Sequence, residues 1–353
     1  MTNAREKPKP PGTPDAPTIR SVTPAAALPG GEVELRGSHL GPVDYSRPTA
    51  FVGVAAAPVL LSREERMIIK VPEGESGNLQ SGLQVRQNGL LSNSVELKVG
   101  RLLAAELHVV ANPAIDPEGN VFATYSGPRG QETPVSVFKV ETDGESRPFV
   151  SGLMNATGLA LDPAGYLYVS SRHEGTVYRV SPAGAASVYA EGMGVATGLA
   201  FDEKGNLYVG DRSGTIFKIN PDRQIFVFAT LEPSVAAYHL AFGMDGTLFV
   251  SGPTTSSFDN VYAIDSDGNA RVFYRGLGRP QGLAVDLAGN VYVAASLGGK
   301  RGIVRISPAA EASLVIAGSS LVGLAFGYDG DAVLATNAAI YHIDLGVEGL
   351  HLF

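Results

Sequence analysis

Short runs in which apolar and polar residues alternate fill this chain, and glycine, proline and serine separate the runs. About seven such runs lie between residues 17 and 99, among them 33–35, 67–71 and 95–99. An alternation with a period of two places successive side chains on opposite faces of a strand. About seven short strands in a segment of this length are typical of a small antiparallel β-sandwich of the immunoglobulin type.

A second pattern repeats through the rest of the chain, and its clearest copy is Thr157-Gly158-Leu159-Ala160-Leu161-Asp162 followed by Gly165 and a strand-like run. The turn of each copy starts, in order, at Asp116, Asp162, Asp202, Gly243, Asp286 and Gly327. A period of about 42 residues with several short strands per copy indicates propeller blades rather than a helical repeat. The sequence therefore predicts an all-β protein, with a small Ig-like β-sandwich followed by a six-bladed β-propeller.

The residues that repeat are explained by folding. Aspartate, proline and glycine are the residues that a tight hairpin turn needs, which accounts for Asp162 to Gly165. Gly158 and Ala160 reduce bulk where the inner strands of neighbouring blades converge. The repeated motif is therefore predicted to be scaffold, and any site is expected among the residues that interrupt it.

The first segment resembles the IPT/TIG immunoglobulin-like family. The resemblance is carried by 17-PTIRSVTP-24, by 30-GGEVELRGSHLG-41 and by the two later runs 69-IKVP-72 and 85-VRQNG-89. It implies a spacer or a protein-contact module, and it assigns no functional residue.

The repeats resemble the six-bladed propellers of the NHL-repeat and SMP-30/gluconolactonase-like group, because Gly-Leu-Ala-x-Asp is followed by 205-GNLYVGDR-212. Together the two resemblances divide the chain into a disordered proline-rich leader (1–16), an Ig-like domain (17–100) and a propeller (101–353). The group contains lactonases, lyases and protein-binding platforms, so fold alone does not name an activity.

Composition removes several classes of function. The chain has 27 Lys+Arg against 35 Asp+Glu and a net charge of -8, which argues against a nucleic-acid partner. It has no cysteine, which excludes disulfides and thiolate metal sites. No apolar run is long enough for a signal peptide or a membrane span, so as written the sequence predicts a cytoplasmic protein without membrane insertion, although both domain types often occur at cell surfaces.

The face opposite the Asp-x-x-Gly turns is the predicted binding face. Antiparallel pairing brings together there the residues that precede each first strand and follow each second strand. These positions are polar and differ from copy to copy, as binding residues on a constant scaffold do. The predicted ligand-binding residues are Asn112, Asn155, Ser171, Arg172, Asp211, Arg212, Tyr238, His239, Gln281 and Asn337.

The gluconolactonase-like resemblance implies a divalent metal, such as Ca²⁺, at the propeller axis. Asn112, Asn155 and Asp211 are the positions that match its ligands, and His239 would be the catalytic proton carrier. Ca²⁺ takes about six to eight oxygen ligands, commonly with several carboxylates, whereas Asp211 is the one carboxylate that the pattern places on this face. The cofactor expectation is therefore either none or one divalent metal.

Two functions follow from these residues. The first is a non-catalytic binding or scaffold protein whose polar propeller face holds a glycan, peptide or protein. The second is a metal-assisted lactonase, esterase or lyase. The element that completes the last blade is also open: residues 349–353 are preferred as its outer strand, and residues 102–110 are the alternative.

Overall fold

The computed structural model describes residues 15–43, 45–73 and 80–352. Of the leader predicted for residues 1–16, residues 1–14 lie outside the described part of the chain. Every regular element in the described part of the chain is a β-strand, which confirms the all-β prediction.

The first domain is a two-sheet sandwich. One sheet has the strand order β1-β3-β7-β6 and the other β2-β10-β8-β4-β5, with β9 beside β8. Leu35, Met67, Leu83 and Leu97 are fully buried between the sheets. The strands are β1 (Thr18–Thr23), β2 (Ala26–Ala27), β3 (Glu32–Ser38), β4 (Thr49–Val52), β5 (Ala55–Ala57), β6 (Val59–Arg63), β7 (Arg66–Lys70), β8 (Gln80–Gln87), β9 (Leu90–Leu91) and β10 (Val95–Val99).

The remaining strands form six antiparallel blades of four strands each. Blades one to three contain β12 (Ala114–Ile115), β13 (Val121–Thr124), β14 (Val137–Val140) and β15 (Ser146–Val150); β16 (Ala156–Leu161), β17 (Leu167–Ser171), β18 (Thr176–Val180) and β19 (Ala186–Ala190); and β20 (Ala196–Phe201), β21 (Leu207–Asp211), β22 (Thr215–Ile219) and β23 (Ile225–Thr230).

Blades four to six contain β24 (His239–Phe242), β25 (Leu248–Ser251), β26 (Asp259–Ile264) and β27 (Ala270–Leu277); β28 (Leu283–Val285), β29 (Val291–Leu297), β30 (Lys300–Ile306) and β31 (Ala312–Ala317); and β32 (Leu321–Phe326), β33 (Asp331–Thr336), β34 (Ile340–Asp344) and, from earlier in the chain, β11 (Arg101–Ala104). The inner strands β12, β16, β20, β24, β28 and β32 contact one another in sequence around a closed ring.

Aromatic pairs join neighbouring blades. Tyr168 of blade two meets Phe201 of blade three edge to face, with ring centroids 4.9 Å apart, and Tyr292 of blade five meets Phe326 of blade six in the same way at 5.0 Å. This arrangement is the favoured geometry for aromatic rings. The tyrosine of the repeated Leu-Tyr-Val run is therefore an inter-blade contact.

The Asp-x-x-Gly turns are structural, as the sequence predicts. The Asp202 carboxylate accepts hydrogen bonds from the backbone N–H of Lys204 and of Asn206, at 3.0 and 2.9 Å. Gly158, in the inner strand of blade two, lies so close to Thr197 of blade three that a Cβ would collide with the Thr197 carbonyl oxygen. Both features serve the scaffold rather than a site.

The strand that completes blade six corrects the preferred sequence interpretation. The outer strand is expected from residues 349–353, of which 349–352 are described, but β11 forms it instead, because Arg101 pairs with His342 and Leu102 with Tyr341. The chain leaves blade six after β34, turns at Gly346 with a φ of 65°, and crosses to blade five. There the Leu350 N–H donates to the Val285 carbonyl at 2.9 Å.

The two domains share a sheet. β2 lies parallel to β31, the outer strand of blade five, with Ala26 opposite Ile316, and it also pairs with β10. The Leu28 N–H donates to the Ala317 carbonyl at 2.8 Å, which extends this ladder. The sandwich is thus joined to blade five through a continuous ladder of backbone hydrogen bonds, in addition to the covalent link between the two domains.

Candidate functional site

A cavity of about 340 Å³ opens on the predicted binding face, and its size is at the lower end of the range for small-ligand sites. It lies where the inner strands begin and the second strands of the blades end. No aspartate or glutamate is among its lining residues. The polar side chains that line it belong to His108, Thr157, Arg172, Thr197, Arg212, Gln281 and Asn337.

Arg172 and Arg212 occupy equivalent places in adjacent blades. Arg172 directly follows β17 and Arg212 directly follows β21. Their backbone N–H groups donate back to the loop before the inner strand, to the carbonyls of Asn155 and Val195, at 3.3 and 3.2 Å. Because the two blades share one geometry, both side chains reach the same mouth of the cavity.

Arg172 is held more tightly than Arg212. One terminal nitrogen of Arg172 donates to the Gly127 carbonyl at 3.0 Å, while its Nε is buried without a hydrogen-bond partner among the described residues. Burial, followed by the charges of Arg129 and Arg212, lowers the pKa of the Arg172 guanidinium. Arg212 is exposed, and its Nε donates to the Ser234 carbonyl at 3.3 Å.

Two amides and two hydroxyls also line the cavity. Gln281 and Asn337 reach the cavity from blades five and six, opposite the arginines. Thr157 and Thr197 donate their hydroxyl protons to backbone carbonyls, those of Asn155 and Gly210, at 3.0 and 2.8 Å. The Thr157 oxygen therefore still has accepting capacity, whereas the Thr197 oxygen also accepts from the Tyr238 N–H at 3.1 Å.

Three predicted residues on this face are engaged in the scaffold. Asn155 is buried; its Oδ1 accepts from the Gly130 N–H at 2.7 Å and its Nδ2 donates to the carbonyls of Gly127 and Pro128. Ser171 is fully buried and donates to the Met154 carbonyl at 2.7 Å.

Asp211 is the third of these residues and is likewise buried. Its Oδ1 accepts from the Val195 N–H at 2.8 Å, and its Oδ2 accepts from the Ser213 hydroxyl. Side chains along a strand alternate, so Asp211 turns into the blade while the next residue, Arg212, turns to the cavity.

Tyr238 and His239 also lie inside the protein. Tyr238 packs against Gly210 and Gly252, and its hydroxyl donates to the Glu232 carbonyl. His239 is 3% exposed and does not line the cavity, and burial lowers the pKa of its imidazole to about 4. A base that is buried away from the cavity cannot reach a ligand there, so the geometry does not support the proton-carrier role.

Asn112 lies at the closure of the ring instead of at the binding face. Its Nδ2 donates to the Leu283 carbonyl of blade five at 2.7 Å, and its Oδ1 accepts from the Leu324 N–H of blade six at 3.2 Å. The side chain fills the space left by Gly282 and Gly323. Counting back four residues from Asp116 aligns Asn112 with Gly158, a position that faces a neighbouring blade, so the repeat itself contains this signal.

The residues considered for a metal do not fit one. The oxygens of Asn112, Asn155 and Asp211 each accept backbone hydrogen bonds in a different part of the fold. In the described part of the chain, the one grouping of three acidic or histidine side chains close enough to share an ion is Glu141, Asp143 and Glu145. It lies on an exposed hairpin at the outer edge of blade one, where Arg147 pairs with two of the carboxylates.

His108 is a cavity residue that the sequence reasoning missed. It belongs to the segment that crosses from β11 to the inner strand of blade one, outside the repeat pattern. Its side chain is exposed toward the cavity, and its Nδ1 is hydrogen-bonded to the Ser126 carbonyl. Because no repeat position corresponds to it, only the path of the chain places it there.

A larger cavity, of about 710 Å³, opens on the turn face. Its apolar lining includes Leu161, Phe201, Phe242 and Phe326 from the ends of the inner strands. The C-terminal segment crosses it: His351 stacks on Tyr328, and Leu350 and Leu352 belong to the lining. The protein's own C-terminal segment occupies part of this face, whereas the polar residues that vary between the repeats gather at the smaller cavity, which is therefore the candidate site.

Residues 17–99 match the family model of the IPT/TIG domain. No curated protein is detectably similar to the chain in sequence. Among the described residues there is no helix that is long and apolar enough to span a membrane.

Solved structures share the fold at low sequence identity. An auxiliary nutrient binding protein from Bacteroides thetaiotaomicron is 10% identical with a TM-score of 0.56, and the match covers 94% of this chain and 98% of that one. A gluconolactonase from Xanthomonas campestris is 16% identical over 69% of this chain and 89% of that one, with a TM-score of 0.57. A luciferin-regenerating enzyme is 15% identical over 72% and 97%, with a TM-score of 0.56.

Proposed function

We propose that this protein is a non-catalytic binding protein that holds its ligand in the polar-face cavity, with the TIG domain as a rigidly attached contact module. The observation that carries the proposal is the composition of the cavity. Its lining offers guanidinium, amide and hydroxyl groups and one imidazole, that of His108, but no carboxylate to coordinate a metal or to assist a histidine base. Such a set is suited to recognising polar groups, and it lacks the carboxylates that usually hold a catalytic metal or orient a histidine base.

The two-domain layout supports the same proposal. The auxiliary nutrient binding protein matches over 94% of this chain, which includes both the sandwich and the propeller. The lactonase and the luciferin-regenerating enzyme match over 69% and 72% of it. Glycans, peptides and proteins all present polar groups of the kind that this face can bind. The end of a peptide chain, or one or two sugar units, would suit a cavity of about 340 Å³.

A hydrolase of the lactonase type is the second candidate, and His108 is the observation that favours it. It is the one histidine among the cavity-lining residues, and it is exposed toward a ligand. A hydrolytic role would require His108 to act as a general base without the carboxylate or metal that usually assists such a residue.

One variant distinguishes the two functions. Ala236→Phe narrows the cavity without removing a polar contact, because Ala236 lines the cavity and is partly exposed. Its matched control is Val188→Phe, at an exposed position on the outer strand of blade two. We expect a glycan and peptide binding screen to yield a ligand that binds the wild type and Val188→Phe and fails to bind Ala236→Phe. Lactone or ester hydrolysis that is lost in both Ala236→Phe and His108→Ala would overturn the proposal in favour of the enzyme.

A further inference from the structure

The polar cavity has an unbalanced charge. Two arginines line it, a third contributes to its field, and no carboxylate is in the lining. The chain as a whole carries a net charge of -8, so this concentration of positive charge runs against the composition of the protein. Guanidinium groups that converge without counter-charge repel one another, and an anion relieves that repulsion.

The arginines of the cavity have no carboxylate partner among the described residues. Among the ion pairs between described residues, none involves Arg129, Arg172 or Arg212. The nearest carboxylate in the sequence, Asp211, is turned away toward Val195 and Ser213. By contrast, Arg179 on β18, in blade two with Arg172, does have a carboxylate partner, because it lies 3.6 Å from Asp162.

The positions are built rather than incidental. Arg172 is half-buried and anchored at one terminal nitrogen by the Gly127 carbonyl, which leaves its buried Nε without a partner. Gly127 is itself held by Asn155, since the buried amide of that residue donates to the same carbonyl at 2.9 Å. The scaffold hydrogen bonds thus fix the guanidinium before any ligand arrives, which limits the entropy cost of binding.

From these observations we infer that the cavity, in its proposed role as a binding site, recognises a small ligand through an oxyanion, with Arg172 and Arg212 as the anion-binding pair. Two guanidinium groups from adjacent blades are suited to a carboxylate or a phosphate, whose oxygens accept several charge-assisted hydrogen bonds at once. Gln281 and Asn337 stand opposite and contact the uncharged part of the ligand. This inference rests on the proposed binding function and specifies the chemistry of its ligand.

Arg212 provides the cleaner test, because its side chain is exposed and donates one long hydrogen bond, at 3.3 Å, to the Ser234 carbonyl, so we expect its replacement to leave the fold intact. Titration calorimetry with the full chain would compare galacturonate, inorganic phosphate and galactose. We expect one or both anions to bind saturably, galactose to bind far more weakly, and Arg212→Gln to lose at least about 10-fold in affinity. Arg271→Gln, at an exposed position on the outer strand of blade four, removes the same charge far from the cavity and should bind like the wild type.

Arg172→Lys and Arg172→Gln extend the test. The lysine variant keeps the positive charge but loses the planar guanidinium that can donate two parallel hydrogen bonds. It should therefore retain part of the affinity that the glutamine variant loses. Thermal unfolding of each variant without ligand separates a binding defect from a folding defect. Galacturonate binding without phosphate binding would identify a carboxylic acid ligand, and the reverse would identify a phosphorylated one.

Other outcomes would overturn the inference. If neither anion binds the wild type, or if both bind Arg212→Gln and Arg172→Gln as tightly as the wild type, the cavity is not an anion site. In that event a neutral glycan or peptide that Ala236→Phe excludes would leave the proposed binding function standing. Hydrolysis that depends on His108 would instead remove the proposed function itself.

Discussion

Leu102 pairs with Tyr341 in an antiparallel ladder, so the first strand after the TIG domain completes the last blade of the propeller. The first and last strands of the ring are therefore joined by backbone hydrogen bonds. The residues that follow β34 are left free to cross the turn face.

Removal of residues 348–353 should leave the propeller folded. Blade six keeps its four strands without them, while the half-buried side chains of Leu350 and Leu352 and the hydrogen bond to Val285 are lost. We expect the free energy of unfolding to fall by about 2–3 kcal/mol in urea titrations. The uncovered cavity should bind a hydrophobic dye, and Leu350→Ala should show a smaller loss. An unfolded truncated chain would contradict this account of closure.

Asn112→Ala should weaken the seam between the first and last blades. It leaves the Leu283 carbonyl and the Leu324 N–H without their partner inside the ring. An unsatisfied buried group costs about 1–3 kcal/mol, so urea unfolding should show a loss of about 2–3 kcal/mol or more. Asn337→Ala, at an exposed asparagine, is the control for stability and should unfold like the wild type. Equal stability of the two variants would remove the structural role of Asn112.

His239 should make the protein less stable in mild acid. Burial lowers its pKa from 6.5 to about 4, so between these values the unfolded chain takes up a proton that the folded chain does not. The free energy of unfolding therefore decreases as the pH falls from about 7 toward 4, by up to about 3 kcal/mol from this group. The comparison is urea unfolding of the wild type and His239→Gln at a series of pH values. Parallel pH profiles for the two proteins would show that His239 does not titrate in this way.

Glu34 should couple the TIG domain to the propeller. Its carboxylate lies 2.9 Å from nitrogens of Arg36 and Arg66 and 3.4 Å from Nζ of Lys300, at the start of β30 in blade five. We expect Glu34→Gln to lower the unfolding free energy by about 1–3 kcal/mol, because Arg36, Arg66 and Lys300 lose the carboxylate that all three contact.

The control for Glu34 is Glu73→Gln, which breaks an exposed pair with Lys70 inside the TIG domain and should unfold like the wild type. Calorimetry would also report whether the domains unfold together. A Glu34→Gln protein as stable as the control would show that the shared strand β2 carries the junction alone.

The fold could be read from the sequence because its signals are local and repeated. The alternation of apolar residues, the Asp-x-x-Gly turns and the spacing of the copies each involve neighbours along the chain. Because the motif recurs in six copies, a substitution in one copy does not hide the pattern. The same reasoning placed Arg172, Arg212, Gln281 and Asn337 on one face, and the structure puts all four in the lining of one cavity.

The remaining site residues could not be predicted in this way. Asn155 and Asp211 precede or follow strands at the expected face, but their polar atoms are already hydrogen-bonded. Those of Asn155 bond to the loop at 127–130 of blade one, and those of Asp211 bond to Val195 and Ser213 of its own blade. His108 reaches the cavity from a segment that belongs to no repeat. Which polar groups remain available to a ligand depends on hydrogen bonds between loops, and these form only in the folded chain.

The sequence by itself thus determined the strand content, the six repeats and the face on which polar residues gather, because each follows from the period of side chains along a strand and from turn chemistry. The tertiary structure alone decided that β11 closes the ring and that the Asn112 side chain hydrogen-bonds to the backbone of blades five and six. It also decided that two arginines without counter-charges among the described residues line the cavity. The physical reason is that ring closure and charge balance depend on residues distant in the chain, and only packing brings those residues together.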